Sequence, residues 1–296
     1  MESPISAIGY SNMEKKYNLE KIVSDILDKP TKQTVSRKSN KDIIAEYLKE
    51  VGKDMYIMVR VVVRGEKEET NIEIEQCGPY LKPNYTIKVE DLSVECIEDE
   101  YNYYAICEEK ETGIQFIFWL QNVVDYTEAI EYMEGFDTVS IAALAMEGTV
   151  ILPIEVDEED EMAQKEEREK IKAILQKARE GDETARAQLE AEEKELDNQL
   201  KERMYEEDFL SIMSGYFVPT TLVDATYAVL GDIKDIAIRK NLITGEESYL
   251  FTLHVNDMPL EVLINKKNLV GYPTIGMRFM GTCWLQGTIQ IPDEKT

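Results

Sequence analysis

The sequence predicts an α+β protein built from three parts, and three observations lead to this fold class. Residues 1–52 contain two stretches with the apolar spacing of amphipathic helices. Several later segments alternate apolar and polar residues, as antiparallel strands do. Between residues 155 and 208 this alternation stops in a stretch with 21 acidic and 10 basic residues. We therefore expect an α+β domain at 1–154, an acidic helical hairpin or linker at 155–208 and a barrel-like β domain at 209–296.

Two helices are predicted at the start of the chain, each from a stripe of apolar residues. The first stripe ends before Pro30, which cannot continue a helix, and consists of Leu19, Ile22, Val23, Ile26 and Leu27. The second follows a Ser39-Asn40 capping signal, and consists of Ile43, Ile44, Tyr47, Leu48 and Val51. Both helices are expected to pack on the mostly antiparallel sheet formed by the strands that follow.

The rest of the N-terminal part has the alternation of a sheet. Strands are predicted at 56–64, 71–77, 101–107 and 114–121. The last two form a hairpin around an acidic turn that ends in Gly113. A third helix is expected near 127–134. The Glu147-Gly148 pair predicts a turn between two arms of a closing hairpin, although the alanine-rich first arm also fits a helix.

The strand pattern resumes after the acidic stretch. Strands are predicted at 227–240, 249–255, 260–264 and 278–291. About five short, curved strands with glycine at the bends are typical of a small barrel or half-barrel, for which an OB-like barrel is a candidate. Residues 148–153 (GTVILP) match 287–292 (GTIQIP) at an offset of 139 positions, which marks both segments as terminal strands.

The acidic stretch itself has the pattern of two helices. Apolar residues from Ile171 to Ala178 form one stripe, Gly181 ends that helix, and Asp182 is placed to cap the next. The turn at 178–185 is similar to that of a tetratricopeptide-type or Sel1-like repeat. Because a single unit cannot build a solenoid, we interpret it as a lone helical hairpin.

Composition and charge argue against several classes of protein. The net charge of −26 repels nucleic acid and anionic membranes, so neither is an expected partner. No apolar run approaches the roughly 18 residues needed to cross a bilayer. The four cysteines form no CxxC pair and the chain has one histidine, so no zinc or other metal site and no cofactor is expected. Reduced, buried thiols fit a cytoplasmic location.

The candidate binding face lies on the C-terminal part, where residues 209–296 carry a net charge of only −2. If Phe279, Cys283 and Leu285 point inward, Trp284 points outward with its polar neighbours. The predicted face comprises Arg278, Trp284, Gln286, Arg239, Lys240, Lys266 and Lys267. In the alternative interpretation, the acidic hairpin or the N-terminal sheet covers Trp284 and pairs with the basic residues. No catalytic motif is found, and no catalytic residue is assigned.

Several short motifs together resemble a known protein family. They are Ala7-Ile-Gly-Tyr-Ser11, the 179–185 turn (REGDETA), 227–232 (YAVLGD), 263–267 (LINKK) and 276–287 (GMRFMGTCWLQG). This combination resembles a family of cytosolic proteins of unknown function from Clostridia and related Firmicutes. The resemblance covers most of the chain, and its C-terminal block is the most specific part. It implies a bacterial cytoplasmic protein and brings no catalytic residues.

The sequence favours a non-enzymatic cytosolic interaction or adaptor protein whose partner is another protein. One alternative is binding of single-stranded nucleic acid or a small ligand by the C-terminal barrel. Another is an enzyme that uses carboxylates without a recognisable motif, because two acidic residues at the right separation leave no local signature.

Overall fold

The structure is a computed structural model that describes residues 3–11, 19–37, 43–64, 71–96, 102–133, 135–154, 170–171, 173–178, 181–189, 191, 210, 213, 215–221 and 224–292. Within these residues 14 strands form two sheets, and the helices are short. The predicted α+β class is therefore wrong. In its described part the protein is mostly β, not a set of helices packed on a sheet.

The first four strands form an antiparallel sheet, here called the N-terminal sheet. In order across the sheet they are β1 (Lys32–Arg37), β2 (Ile43–Gly52), β3 (Met55–Arg64) and β4 (Asn71–Leu81). A 3-10 helix at Pro4–Ser6 and helix α1 (Leu19–Asp28) precede them. The prediction of a helix at 19–27 is confirmed, and Val23 and Ile26 are its buried residues.

The predicted second helix is strand β2. Its apolar residues fit a helical stripe, but Ala45 lies opposite Val35 of β1 and Val61 of β3. Pairing on both sides satisfies the backbone hydrogen bonds of β2 and buries Ile44 and Ala45. Strand propensity depends on such neighbours more than on the local sequence, so tertiary pairing overrides the helical pattern.

The remaining ten strands form one large sheet. They are β5 (Ile87–Cys96), β6 (Tyr103–Glu109), β7 (Gln115–Leu120), β8 (Thr138–Ile151), β9 (Tyr216–Pro219), β10 (Thr226–Lys240), β11 (Glu247–Val255), β12 (Met258–Asn265), β13 (Leu269–Val270) and β14 (Arg278–Ile289). Helix α2 (Val123–Ala129) links β7 to β8, and a 3-10 helix at Lys266–Asn268 follows β12.

The long strands β8 and β14 pair along 12 residues and are shared by two closed rings. Strands β5, β6 and β7 close one ring, and β10, β11 and β12 close the other. The two rings have the same pairing plan. Strand β5 is antiparallel to β8, as β10 is to β14. Strand β7 is parallel to β14, as β12 is to β8. The matching 148–153 and 287–292 segments overlap the ends of β8 and β14.

The predicted OB-like barrel of residues 209–296 alone is wrong, because the C-terminal strands β12, β11, β10 and β14 form an open sheet by themselves. Its ring closes only with β8, which precedes the acidic stretch. The predicted closing hairpin at Glu147-Gly148 is also wrong, because β8 runs through both residues. Gly148 is needed there for close packing, since a Cβ atom would lie 2.3 Å from the ring of Phe279. The turn at Asn256-Asp257 is confirmed, with φ angles of 47° and 68°.

Little of the acidic stretch lies within the described residues. Residues 173–178 and 183–189 are helical on either side of Gly181. The carboxylate of Asp182 accepts hydrogen bonds from the backbone N–H groups of Thr184 (2.9 Å) and Ala185 (3.3 Å), as an N-cap does. The predicted borders at 155 and 208 stay a prediction, because both lie outside the described residues.

Two apolar cores hold the molecule together. One fills the rings and includes Phe116, Phe118, Phe251 and Phe279. The other lies between the N-terminal sheet and the outer face of the large sheet, where Ala142, Leu144, Leu250 and Leu263 meet the 5–10 segment, α1 and the N-terminal sheet. Burial of one such leucine contributes about 1.5–3 kcal/mol, so the two sheets form one packed body.

A polar cluster, here called the N-terminal clasp, fixes residues 6–11 to the large sheet. Buried side chains donate to three consecutive backbone carbonyl groups: Asn265 to Ser6 (3.0 Å), Ser248 to Ala7 (2.6 Å) and Asn241 to Ile8 (2.7 Å). Gly9 has a φ of +91°, and a Cβ atom there would lie 2.7 Å from the Cβ of Asn241. The motifs at 7–11 and 263–267 therefore meet in the clasp.

Glu246 is the charged centre of the clasp. Its carboxylate accepts hydrogen bonds from the Ser11 hydroxyl (2.6 Å) and the Asn265 amide (2.8 Å), and it forms an ion pair with Lys267. Burial alone would raise its pKa, but the hydrogen bonds from Lys267, Ser11 and Asn265 outweigh burial and lower the pKa to about 2. The clasp is thus a satisfied network that orders the N-terminal segment.

Candidate functional site

A cleft of about 490 Å³ lies where the N-terminal sheet meets α2 and the end of β14. Strands β1 and β2 form one wall, α2 with residues 121–122 forms another, and residues 288–292 form the third. Its volume is that of sites for small molecules. Most of the side chains that line it are polar, so it is suited to a ligand with hydrogen-bonding groups.

The floor of the cleft is a buried ion pair between β2 and β3. Glu46 and Arg60 lie opposite each other in the strand register, and Arg60 Nη2 is 2.8 Å from the carboxylate of Glu46. Arg60 also donates to the Gln76 side chain (2.7 Å) and to the carbonyl oxygen of Leu120 (3.3 Å). This last bond ties the N-terminal sheet to the end of β7, directly beneath the cleft.

Glu46 also positions helix α2. Its carboxylate accepts a hydrogen bond from the N–H of Val123, the first residue of the helix, at 3.1 Å. Burial raises the pKa of Glu46, while the charge of Arg60 opposes the rise. Because removal of either partner would leave a buried charge, the pair holds this corner of the cleft rigid.

Gln121 is the unusual residue of the cleft. The residue lines the cavity and is only 5% exposed. Within the described part of the chain neither the Nε2 nor the Oε1 atom of its amide has a hydrogen-bond partner. A buried polar group without a partner costs about 1–3 kcal/mol. Both amide atoms are shielded from solvent, so the side chain must turn towards the cavity before a ligand can bond them.

The rim of the cleft carries charge and aromatic surface. Asp125 and Glu128 are three residues apart on α2, and both line the cavity with Lys32 of β1 and the exposed ring of Tyr132. Tyr80 lies deeper. Burial raises its pKa, and Tyr56, Glu46 and Asp125 raise it further. Tyr80 therefore keeps its proton at neutral pH and can donate a hydrogen bond.

Two polar side chains that line the cleft are already engaged in bonds within the protein. Glu46 is held by Arg60, and the Asn122 side chain is occupied by hydrogen bonds with the backbone of Ile289 at 2.9 and 3.1 Å.

No group of three metal-binding side chains occurs in the described ranges. Likewise, none of the helices described there is both long and apolar enough to span a bilayer.

The predicted binding face lies elsewhere, and its central residues are largely covered. Arg278 is 5% exposed and donates to the carbonyl groups of Leu152 (2.9 Å), Leu210 (2.8 Å) and Met213 (3.0 Å). These carbonyls flank the acidic stretch on both sides. Arg278 therefore holds together the chain segments before and after it.

Trp284 and Gln286 face the second core. Trp284 is partly buried, contacts that core and lies 6.1 Å from the ring of Trp119. Gln286 is fully buried, and its amide has no partner among the described residues. Unlike Gln121, it does not line the cleft.

Three basic residues of the predicted face pair with nearby acids that lie outside the 155–208 stretch. Arg239 is 3.6 Å from Asp54, Lys266 is 2.7 Å from Glu247, and Lys267 pairs with Glu246. Lys240 is exposed at the end of β10. The structure does not gather the seven residues into one open surface, and their binding of a partner stays a prediction.

Sequence reasoning missed the cleft. One local signal was present: Arg60 lies in the apolar run of β3, where an unpaired charge would be costly, so a buried partner was required. No local signal marks Gln121, which follows β7 and enters the cleft only because α2 and β14 meet there.

Comparison with known proteins places the chain in a family. The profile described as "Domain of unknown function, E. rectale Gene description (DUF3881)" matches residues 5–287, nearly the whole chain. The chain belongs to the DUF3881 family. This confirms the resemblance seen in the sequence motifs. No curated protein and no solved structure matches the chain.

Proposed function

We propose that this DUF3881 member is a non-enzymatic, cytoplasmic binding protein that holds a small polar ligand in the cleft. The observation that carries the proposal is the buried amide of Gln121, which has no partner among the described residues and lines a cavity of about 490 Å³. Folding leaves such a group unsatisfied at a cost of about 1–3 kcal/mol. If the Gln121 side chain turns into the cavity, a ligand that bonds both amide atoms would recover that cost.

The surroundings of Gln121 support binding. Arg60 and Glu46 fix the two sheets and the start of α2 around it, so the cleft is formed before a ligand arrives. The four cysteines form no disulfide bond, which fits the proposed cytoplasmic location. A protein partner at Trp284 receives less support, because Arg278 and Gln286 are buried beside it.

The test compares Gln121→Leu with Gln286→Leu, two substitutions of buried amides that lack partners in the described structure. Without ligand, both variants should be more stable than wild type by about 1–3 kcal/mol, because leucine removes an unsatisfied polar group of similar size. Urea unfolding measures this difference.

Ligand binding should separate the two variants. In a thermal-shift screen of amines, polyols, nucleosides and amino acids, compounds that bind wild type should raise its melting temperature. Gln286→Leu should keep that response and Gln121→Leu should lose it. Destabilisation of the ligand-free protein by Gln121→Leu would mean that the amide already has an internal partner, and the proposal would be wrong.

A further inference from the structure

The charges around the cleft define the chemistry of its ligand, and this step rests on the binding function proposed above. Three acids and one base line the cavity: Glu46, Asp125, Glu128 and Lys32. The charge of Glu46 is balanced by Arg60 at 2.8 Å. Two carboxylates therefore face one lysine at the rim, and the free cleft carries a net negative charge.

Asp125 and Glu128 form the negative side of the rim. They are three residues apart in helix α2, so their side chains lie on the same face of the helix. Two like charges at this spacing repel each other. Neither forms an ion pair with any residue in the described part of the chain. The charge of Asp125 also reaches the interior, where it raises the pKa of Tyr80.

The cleft also has uncharged groups that can bind a ligand with a positive charge and a polar group. Gln121 lines the cleft, and its buried amide offers a donor and an acceptor once the side chain turns towards the cavity. The ring of Tyr132 is exposed at the mouth and provides the face of an aromatic ring, which attracts cations. A phosphate or carboxylate ligand would instead meet Asp125 and Glu128 with only Lys32 to compensate.

We infer that the cleft takes a small organic cation. Its ammonium or guanidinium group lies against Asp125 and Glu128, and the amide of Gln121 turns into the cleft to bond a polar group at its other end. The cavity volume of about 490 Å³ restricts the ligand to the size of a metabolite. Selection against anions comes from the same two carboxylates.

Titration of the full-length protein with four probes tests the inference. Putrescine and agmatine are the cations, erythritol is the neutral control and glycerol 3-phosphate is the anion. Isothermal calorimetry should detect binding of at least one cation and no binding of the anion. Because the rim is partly exposed, raising the salt concentration from 50 to 500 mM should weaken cation binding.

Charge-neutralising variants locate the cation. Asp125→Asn and Glu128→Gln should each weaken cation binding about three- to tenfold, because neither side chain has an ion-pair partner to lose among the described residues. Glu131→Gln is the matched control, since Glu131 is an exposed acid just after α2 that does not line the cleft. Equal cation affinity in wild type, Asp125→Asn and Glu128→Gln would overturn the inference.

Two other outcomes separate this inference from the proposed function. If erythritol or glycerol 3-phosphate binds instead of the amines and this binding is lost in Gln121→Leu, the inference of a cationic ligand would be overturned. The cleft would remain a binding site. If neither the four probes nor the wider thermal-shift screen gives a response that depends on Gln121, both the cation inference and the proposed binding function would be overturned.

Discussion

The N-terminal clasp and the cleft are both buried polar clusters between N-terminal residues and the large sheet, but they differ in hydrogen bonding. In the clasp, the buried amides of Asn241 and Asn265 have partners in the backbone of residues 6–8. In the cleft, the amide of Gln121 has none within the described structure. A satisfied cluster stabilises one conformation, whereas an unsatisfied one beside a cavity retains bonding capacity for a ligand.

The buried pair beneath the cleft should give the largest effect on stability. Arg60→Met leaves the Glu46 carboxylate buried without its counter-ion and should reduce the free energy of unfolding by about 3–5 kcal/mol. Urea denaturation measures the loss. Arg64→Met is the matched control on the same strand, because Arg64 forms half-exposed pairs with Glu73 and Glu75 and should lose at most about 1 kcal/mol.

A second substitution checks the cause of that loss. The double variant Arg60→Met/Glu46→Leu removes both charges and should regain most of the stability, because apolar residues often replace buried ion pairs without penalty. If Arg60→Met loses no more stability than Arg64→Met, the floor of the cleft is not held by the buried pair.

The clasp should be the next most sensitive region. Asn265→Leu removes the bonds to the Ser6 carbonyl and to Glu246 and should lower the free energy of unfolding by about 2–3 kcal/mol. This is the opposite sign to that expected for Gln121→Leu in the cleft. Lys266→Met, next to it in the chain, breaks a more exposed pair and should change stability by less than about 1 kcal/mol. Equal effects of Asn265→Leu and Gln121→Leu would remove the distinction between the two clusters.

The pH dependence of the clasp is a third expected effect. The folded protein lowers the pKa of Glu246 from an ordinary 4.5 to about 2. The stability gained from this carboxylate is therefore complete above about pH 4.5 and is lost as the pH falls towards 2. Chemical denaturation at several pH values should show a shallower acid dependence in Glu246→Gln than in wild type. Identical slopes would mean that the clasp does not depend on the charge of Glu246.

Sequence patterns predicted individual strands better than the way they assemble. The strands at 56–64, 101–107 and 114–121 were found, since one face of each packs in a core and the alternation is strong. Strand β2 was predicted as a helix because its stripe fits both periods. The hairpin predicted at Glu147-Gly148 failed because the glycine is required by Phe279 and not by a turn.

The candidate site was beyond local patterns for a related reason. Trp284 and its basic neighbours attracted attention because their residue types are common at interfaces, yet Arg278 is occupied by backbone carbonyls on either side of the acidic stretch. The residues of the cleft are ordinary polar residues in the sequence. They lie together only after β2, α2 and the end of β14 meet.

The sequence by itself determined the family, the strongly negative charge and the position of most strands, since these depend on composition and on neighbours within a few residues. The tertiary structure decided that β8 and β14 join both halves into one sheet and that Gln121 remains buried without an internal partner among the described residues. Long-range pairing supplies backbone hydrogen bonds that no local segment can provide, and only this pairing shows which polar side chains lack a partner.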